Sequence, residues 1–263
     1  MTDDLGDRMK QYERIECDRI LIPRLPIYAR LDGRCFSKFT HGMRRPYDVD
    51  MSIGMIETTR YLVGETNAII GYTQSDEISL AWYYPDPKSN AFFGGKVHKL
   101  VSILAAMATA KFNSLMIKYI RDDLPTFDCR VFNLPTLEES ANAFLWRELD
   151  ATKNAISMAS SVYFSPKQLH GKSGKEKQEM LFQEHNINFN DYPSFFKRGT
   201  FLRRVTEEQY LSDEELAKIP ERHRPEGAII RSRIVDLKMP RMLSIINRVG
   251  VLFNGEDPAE TKV

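Results

Sequence analysis

The spacing of apolar residues changes along the first 164 positions between the periods of strands and helices. Short apolar runs bounded by turn residues predict four buried strands, at 27–31, 69–73, 78–84 and 127–134. Apolar residues at 3-and-4 spacing predict two helices between them, at 51–66 and about 90–119. This order predicts an α+β fold with a ferredoxin-like palm, in which an antiparallel βαββαβ sheet carries helices on one face.

The flanking segments predict further helices and a different C-terminal region. A helix is expected over 5–16, and Thr136 with Glu139 forms a capping-box pattern that opens another helix reaching 163. Beyond residue 164 the pattern indicates short helices and two strands, at 200–205 and 229–235. No feature of the last ten residues predicts that they are ordered. We therefore expect a palm-like catalytic domain over 1–164 and a mainly helical region over 165–263.

Composition narrows the class of protein. The 263 residues include 42% apolar residues, enough for a large core, and 37 basic against 36 acidic residues leave a net charge of only +1. An anionic partner must therefore be held by a local basic surface. Three cysteines without metal-ligand spacing, no membrane-spanning run and no signal peptide together predict a reduced, cytoplasmic protein.

Two acidic turns carry the candidate chemistry. Asp32 and Gly33 end the first predicted strand, while Asp76 and Glu77 lie in the turn between the second and third strands. In the usual strand order 4-1-3-2 the first strand ends at the edge where this hairpin turns. Carboxylates crowded there repel each other unless a cation neutralises them, and Mg²⁺ prefers such oxygen ligands.

A pair of Mg²⁺ ions at this edge would suit phosphoryl transfer. Two ions about 4 Å apart activate an attacking hydroxyl and stabilise the leaving oxygen in nucleotidyl transfer. Gly33 would leave room for a phosphate or metal to approach the backbone. Either acidic motif alone is common turn chemistry, so the prediction depends on both meeting at one edge.

Seven blocks of sequence resemble the tRNA-histidine guanylyltransferase family, and most closely its tRNA 5′-end repair relatives. The resemblance covers roughly residues 5–206 and lies in these blocks, in order: Arg30–Arg34 with Phe36 and Phe39, Arg45-Pro46 with Asp48, Tyr72–Glu77, Phe127–Arg130, Trp146-Arg147, Asn186–Asn190 and Lys197–Thr200.

The resemblance implies addition of nucleotides to the 5′ end of tRNA, in the 3′-to-5′ direction, after ATP or GTP activates the 5′-phosphate. It implies that Asp32 and Asp76 bind two Mg²⁺ ions, that the Gly33 carbonyl completes one site, and that Glu77 supports them. The residues implied in nucleotide binding are Asp32, Gly33, Arg34, Cys35, Phe36, Ser37, Arg45, Ser75 and Asp76. A homotetramer, a dimer of dimers, is also implied.

One block departs from the family pattern. Guanylyltransferases proper carry a histidine-containing block after Trp-Arg, where this chain has Thr152–Met158 and keeps only Asn154 and Ile156 as equivalents. The loss favours template-dependent 5′-end repair with several nucleotides over strict addition of one guanine to tRNA-histidine, which remains an alternative.

Basic and polar residues outside the acidic turns are weaker candidates for RNA or phosphate contacts, namely Lys96, Lys99, Asn154, Lys197 and Arg198. A solvated surface role is equally compatible with each of them. Lys96 is favoured among these residues, because the helix that carries it is expected to start near the acidic edge. Two other functions stay open: a nucleotide cyclase or conventional polymerase, which needs no RNA 5′-phosphate, and a non-catalytic RNA-binding module, which needs no metal.

Overall fold

A six-stranded antiparallel sheet in the order β4-β1-β3-β2-β5-β6 runs through the computed structural model, which describes residues 4–120 and 124–261. The strands are β1 (Ile27–Arg34), β2 (Ile70–Gln74), β3 (Glu77–Trp82), β4 (Thr126–Asn133), β5 (Thr200–Gln209) and β6 (Ile229–Leu237). The first four confirm the predicted palm order. β5 continues the same sheet from the C-terminal region by pairing with β2.

Nine α-helices accompany the sheet within the described residues. They are α1 (Asp4–Cys17), α2 (Phe36–Phe39), α3 (Val49–Thr66), α4 (Val97–Leu115), α5 (Leu137–Ser161), α6 (Pro166–Leu169), α7 (Gly174–His185), α8 (Ser194–Arg198) and α9 (Asp213–Ala217). None of these helices combines the length and apolar character needed to cross a bilayer.

Both faces of the palm sheet are covered, although helices were expected on one. Helices α3 and α4 pack on the first face, where Leu62 and Leu104 belong to the same buried cluster as Leu31 of β1. The other face carries α5, whose Phe144 ring lies 5.1 Å from the Tyr28 ring of β1. The expectation covered only the helices inside the βαββαβ unit, and α5 follows that unit in the chain.

Two helix starts differ from the prediction. Asp48, not Asp50, caps α3 by accepting a hydrogen bond from the Met51 amide at 3.1 Å. Asp50 lies in the first turn, where it accepts a hydrogen bond from Lys118 at 3.0 Å. Helix α4 begins seven residues later than predicted, because Gly94 and Gly95 adopt positive φ angles of 60° and 72° in the preceding turn.

Residues 254–261, the described part of the last ten, are ordered, against expectation. Ile245 and Glu260 form an antiparallel bridge, and the Thr261 amide donates to the Ser244 carbonyl at 2.9 Å. These contacts are made with a segment about 15 residues earlier in the chain, so local composition did not indicate them.

Gly199 links α8 to β5 and tolerates no side chain. Its φ is +78°, and a Cβ there would lie 2.5 Å from the Thr73 carbonyl oxygen. We expect Gly199→Ala to lower the melting temperature clearly more than Gly171→Ala, which has φ +72° but open space around it. Gly199 also has ψ −171°, a conformation that essentially only glycine adopts, so calorimetry on the two variants measures the added cost of that backbone and of the collision. Equal losses would contradict the close packing.

Candidate active site

The two acidic turns meet at one edge of the sheet, as the sequence predicts. Asp32 of β1 is the register partner of Glu77 of β3. The Gly33 amide donates to the Asp76 carbonyl at 3.0 Å, which fastens the end of β1 to the hairpin turn. Right-handed connections and strict pairing register produce this meeting from residues more than 40 positions apart.

Acidic and basic residues form two rows across the strands at this edge. Asp32 lies between Glu77 on β3 and Asp128 on β4. Two residues back along β1, Arg30 lies between Ser79 and Arg130. Because side chains at i and i+2 share a face, both rows point to the side of the sheet that α5 covers.

Asp76 is a partly buried carboxyl group beside another carboxyl group. Burial raises the pKa of Asp76 above its ordinary value, the nearby charge of Asp32 raises it further, and hydrogen bonds from its own backbone and Ser75 oppose the rise. A divalent cation would reverse both unfavourable effects. The pair therefore has the electrostatics of a cation site.

Glu77 is committed to an ion pair. Its carboxylate accepts a 2.6 Å hydrogen bond from Nε of Arg147 on α5, and only 5% and 6% of the two residues are exposed. Burial raises the pKa of Glu77, while Arg147 acts in the opposite direction. Arg147 also donates to Asp150 at 2.9 Å, and Asp150 accepts from Asn154 at 3.2 Å. This chain of contacts ties Asn154 to the acidic edge.

The segment after Asp32 turns sharply into the short helix α2. Cys35 adopts a left-handed φ of 60° at the N-cap of α2 and makes no side-chain cap, so the first amides of that turn can meet an anion. Phe36 is buried, with its ring 5.1 Å from the Phe127 ring. Arg34, Cys35 and Ser37 are exposed, as is Ser75 in the hairpin turn.

Position 33 requires glycine for a different structural reason from the one expected. A Cβ at this position would lie 2.3 Å from the Phe36 ring, so the missing side chain makes room for that ring and not for a phosphate. The Gly33 carbonyl as a metal ligand stays a prediction.

A cavity of about 840 Å³ opens beside the same turn. Its walls include cationic and polar side chains and an aromatic ring, among them Arg34, Lys38, Arg44, Asp48 and Tyr119. Arg45, exposed, follows Arg44 in the same loop. The cavity is large enough for a nucleotide and lies toward α4, on the side of the sheet opposite α5.

The other basic candidates divide into two groups. Lys197 and Arg198 end α8 beside β2, where the Tyr72 hydroxyl donates to the Arg198 carbonyl at 2.8 Å. Lys96 lies at the N-cap of α4 and pairs with Asp18 at 3.6 Å.

The far end of α4, near Phe112, packs on Phe36, so Lys96 and Lys99 lie some 20 Å along the helix from the acidic edge. The expectation that α4 starts near that edge is therefore wrong. RNA contact by these lysines stays a prediction.

Sequence reasoning missed three groups at this site. Arg147 was noticed only as part of a family block, and its pairing with Glu77 across 70 positions has no local signal. Asp128 and Arg130 alternate on β4, and the register prediction could have placed them beside Asp32 and Arg30.

The residues at the edge fit Mg²⁺ when a nucleotide shares its coordination. Within 4–120 and 124–261, no three His, Cys, Asp or Glu side chains form a complete metal cage on their own. Mg²⁺ normally takes only one or two protein carboxylates and completes its shell with water and substrate phosphates. Asp32 and Asp76 supply that number.

Comparisons with known proteins agree with the geometry. The tRNAHis guanylyltransferase family matches residues 6–135, and the Thg1 C terminal domain matches residues 141–239. A bacterial tRNA(His) guanylyltransferase-like protein in complex with ATP is 41% identical, with a TM-score of 0.73 over 76% of this chain and 88% of its own.

A similar bacterial protein in complex with GTP is 33% identical, with a TM-score of 0.72 over 92% of this chain and 94% of its own. The tRNA(His) guanylyltransferase of Schizosaccharomyces pombe is 26% identical over 87% of this chain and 91% of its own.

These matches cover both the palm and the C-terminal region. The chain belongs to the tRNAHis guanylyltransferase family, whose members are nucleotidyltransferases.

Proposed function

We propose that this protein adds nucleotides to the 5′ end of tRNA, in the 3′-to-5′ direction and directed by a template, after the 5′-phosphate is activated by ATP or GTP. The meeting of Asp32 with the Asp76 turn, beside a nucleotide-sized cavity, carries the proposal. The relatives in complex with ATP and GTP support both nucleotides as substrates.

Asp32 and Asp76 would hold two Mg²⁺ ions, with the Gly33 carbonyl completing one site. When bound, such ions make the attacking hydroxyl more nucleophilic and neutralise the charge that develops on the phosphates. Glu77 is held by Arg147, so its contribution is to position the hairpin and add negative charge behind the two ligands.

The nucleoside triphosphate would lie along the turn after β1. The backbone from Asp32 to Ser37 and the Ser75 hydroxyl would hold its phosphates, with Arg34 and Arg45 adding charge. The cavity would receive the rest of the nucleotide. Neither Asp32 nor Asp76 lines the cavity, so the turn from Asp32 to Ser37 would connect the nucleotide to the carboxylates.

Strict addition of one guanine to tRNA-histidine is the second candidate, favoured by the activity for which the S. pombe relative is named. The substituted block Thr152–Met158 supports repair instead. Thr152–Met158 is part of α5 and includes both exposed and buried positions, all within about two helical turns after Asp150.

The decisive experiment uses purified protein, tRNAs with complete and 5′-shortened acceptor stems, and each labelled nucleotide in turn. We expect Mg²⁺-dependent growth of the shortened tRNAs up to a complete stem, and no growth with chelator. Addition of a single guanine to tRNA-histidine alone would replace the repair proposal with the second candidate. Turnover of nucleotide without RNA, or growth at the 3′ end, would overturn both.

The affinity for Mg²⁺ should fall as pH falls, because Asp76 must be ionised to bind the ion. An aspartate binds Mg²⁺ as the carboxylate, and the pKa of Asp76 is raised. Mg²⁺ should therefore bind fully at neutral pH. As pH falls, Mg²⁺ binding should weaken at a higher pH than it would with an aspartate of ordinary pKa. Calorimetric titration of the protein and nucleotide with Mg²⁺ across pH 4–8 measures this. In Asp76→Asn the residual binding should lose that dependence, and an unchanged profile would contradict the assignment.

We also propose that residues 165–263 provide RNA contacts and assembly surfaces for a homotetramer. The assembly surface should also include helix α1, outside that region, because α1 buries none of its residues in the single chain and exposes apolar side chains, namely Leu5, Met9, Tyr12 and Ile15. Light scattering should give four times the chain mass, and Met9→Glu should lower it. A monodisperse monomer would contradict this assembly.

A further inference from the structure

The face of the sheet under α5 carries three groups that the proposed reaction leaves unused. Arg30 stands two residues before Asp32 on β1, and its register partner on β4 is Arg130. The ring of Trp146, on α5, lies with its centroid 5.4 Å from the Arg30 guanidinium carbon. Together Arg30, Arg130 and Trp146 form what we call the arginine–tryptophan patch.

The charges of the patch are incompletely balanced. Like charges directly opposite each other on paired strands destabilise a sheet. The nearest acid on β3, Glu77, is already bonded to Arg147. Arg130 has an exposed partner in Asp128 at 3.6 Å, and the buried Nε of Arg30 has no hydrogen-bond partner in the part of the chain described. A phosphate between the two guanidinium groups would remove the repulsion and accept hydrogen bonds from their terminal nitrogens.

Trp146 offers a surface for stacking next to that phosphate position. It is 52% exposed, whereas Trp82 is 1% exposed in the core. The guanidinium carbons of Arg30 and Arg147 lie 5.4 Å and 4.4 Å from the ring centroid, and about half of the residue stays accessible beside them. Exposed aromatic rings beside basic residues are the usual platform for an unpaired base.

The patch and the cavity approach the carboxylates from opposite faces. The cavity lies toward α4 and begins at Arg34, two residues after Asp32. The patch lies under α5, on the face to which the Asp32 side chain points. A reaction between a nucleoside triphosphate and an RNA end needs two such approaches that converge on the metal ligands.

We propose that the arginine–tryptophan patch binds the 5′-terminal nucleotide of the RNA, with its 5′-phosphate between Arg30 and Arg130 and its base on Trp146. This assignment rests on the proposed function and adds to it the binding site of the second substrate, the 5′ end of the RNA. The nucleoside triphosphate stays on the α4 side.

The first test measures binding without catalysis. Tryptophan fluorescence of the full chain in EDTA is titrated with a 5′-phosphorylated tRNA, the same tRNA with a 5′-hydroxyl, and GTP alone. We expect the phosphorylated RNA to quench the exposed tryptophan and to bind roughly 10-fold or more tighter than the hydroxyl form. Trp146→Phe identifies the signal, because only buried Trp82 then remains.

The second test uses matched variants. Arg130→Gln should remove the preference for the 5′-phosphate and reduce the salt slope of binding by about one. Arg24→Gln, at an exposed arginine before the start of β1, should change neither. Trp146→Leu should weaken RNA binding roughly 5- to 100-fold, and Trp146→Phe should restore it. Raised KM for RNA with an unchanged KM for GTP should accompany these losses.

The outcomes separate this proposal from the proposed function. Equal binding of phosphorylated and hydroxyl RNA, or quenching by GTP alone, overturns the patch assignment even if the protein extends tRNA. Failure to extend tRNA overturns the proposed function, yet quenching and phosphate preference in EDTA would still establish the patch as an RNA-end site.

Discussion

Asp32→Asn and Asp76→Asn should each reduce nucleotidyl transfer by roughly 1,000-fold or more, since a metal ion at the phosphates contributes several kcal/mol of transition-state stabilisation. Asn keeps the size of the side chain and removes the charge that holds the ion. The measurement is the single-turnover rate of labelled GTP addition to a 5′-shortened tRNA at saturating Mg²⁺.

The fold should survive these substitutions. The raised pKa of Asp76 means that its ionised form is unfavourable in the folded state, so Asp76→Asn should leave the melting temperature unchanged or higher. Asp86→Asn is the matched control, because Asp86 is an exposed carboxylate beyond the far end of β3, away from the acidic edge. Its rate should stay within threefold of wild type. Near-normal transfer by either Asp32→Asn or Asp76→Asn would rule out the two-carboxylate site.

Arg147→Met should destabilise the protein by roughly 3–5 kcal/mol, the usual cost of leaving one partner of a buried ion pair alone. Both partners are almost fully buried, so solvent cannot replace the lost charge. Urea unfolding at pH 7 measures the free energy of unfolding. Glu77→Gln combined with Arg147→Met should recover much of the loss, because no buried charge remains.

The loss of stability in Arg147→Met should depend on pH. Without Arg147 the pKa of Glu77, already raised by burial, rises further, so the variant is penalised only when Glu77 ionises. The stability of Arg147→Met relative to wild type should therefore fall as pH rises through that higher pKa. Arg233→Met removes an exposed pair with Glu207 and should cost less than about 1 kcal/mol at any pH. Equal effects of both arginine variants would show that the buried pair is not a structural anchor.

The meeting of the acidic turns could be predicted because it depends on local pattern and topology alone. Strand period decides that Asp32 points away from Leu31, and the strand order places the end of β1 beside the hairpin. The same rules could have corrected the prediction for Lys96. β3 begins at the acidic edge with Glu77 and runs away from it, so the helix that follows must start at the far end.

The partners of these groups could not be predicted in the same way. Arg147 meets Glu77 because α5 crosses the second face at a particular angle, which depends on side-chain packing such as Phe144 against Tyr28. The ordered structure of the C-terminal residues up to 261 likewise depends on the bridge between Ile245 and Glu260. Contacts of this kind arise between distant segments, and no short window of sequence contains them.

The pairing of β5 with β2 has a consequence for how the chain can be divided. Ile70–Thr73 of β2 pair on one side with β3 and on the other with Thr200–Arg203. A fragment ending at residue 164 would leave that second side as a bare edge of apolar residues with unpaired amides and carbonyls. Such edges recruit strands from other molecules. The isolated N-terminal fragment should therefore aggregate, although it contains both metal-binding carboxylates.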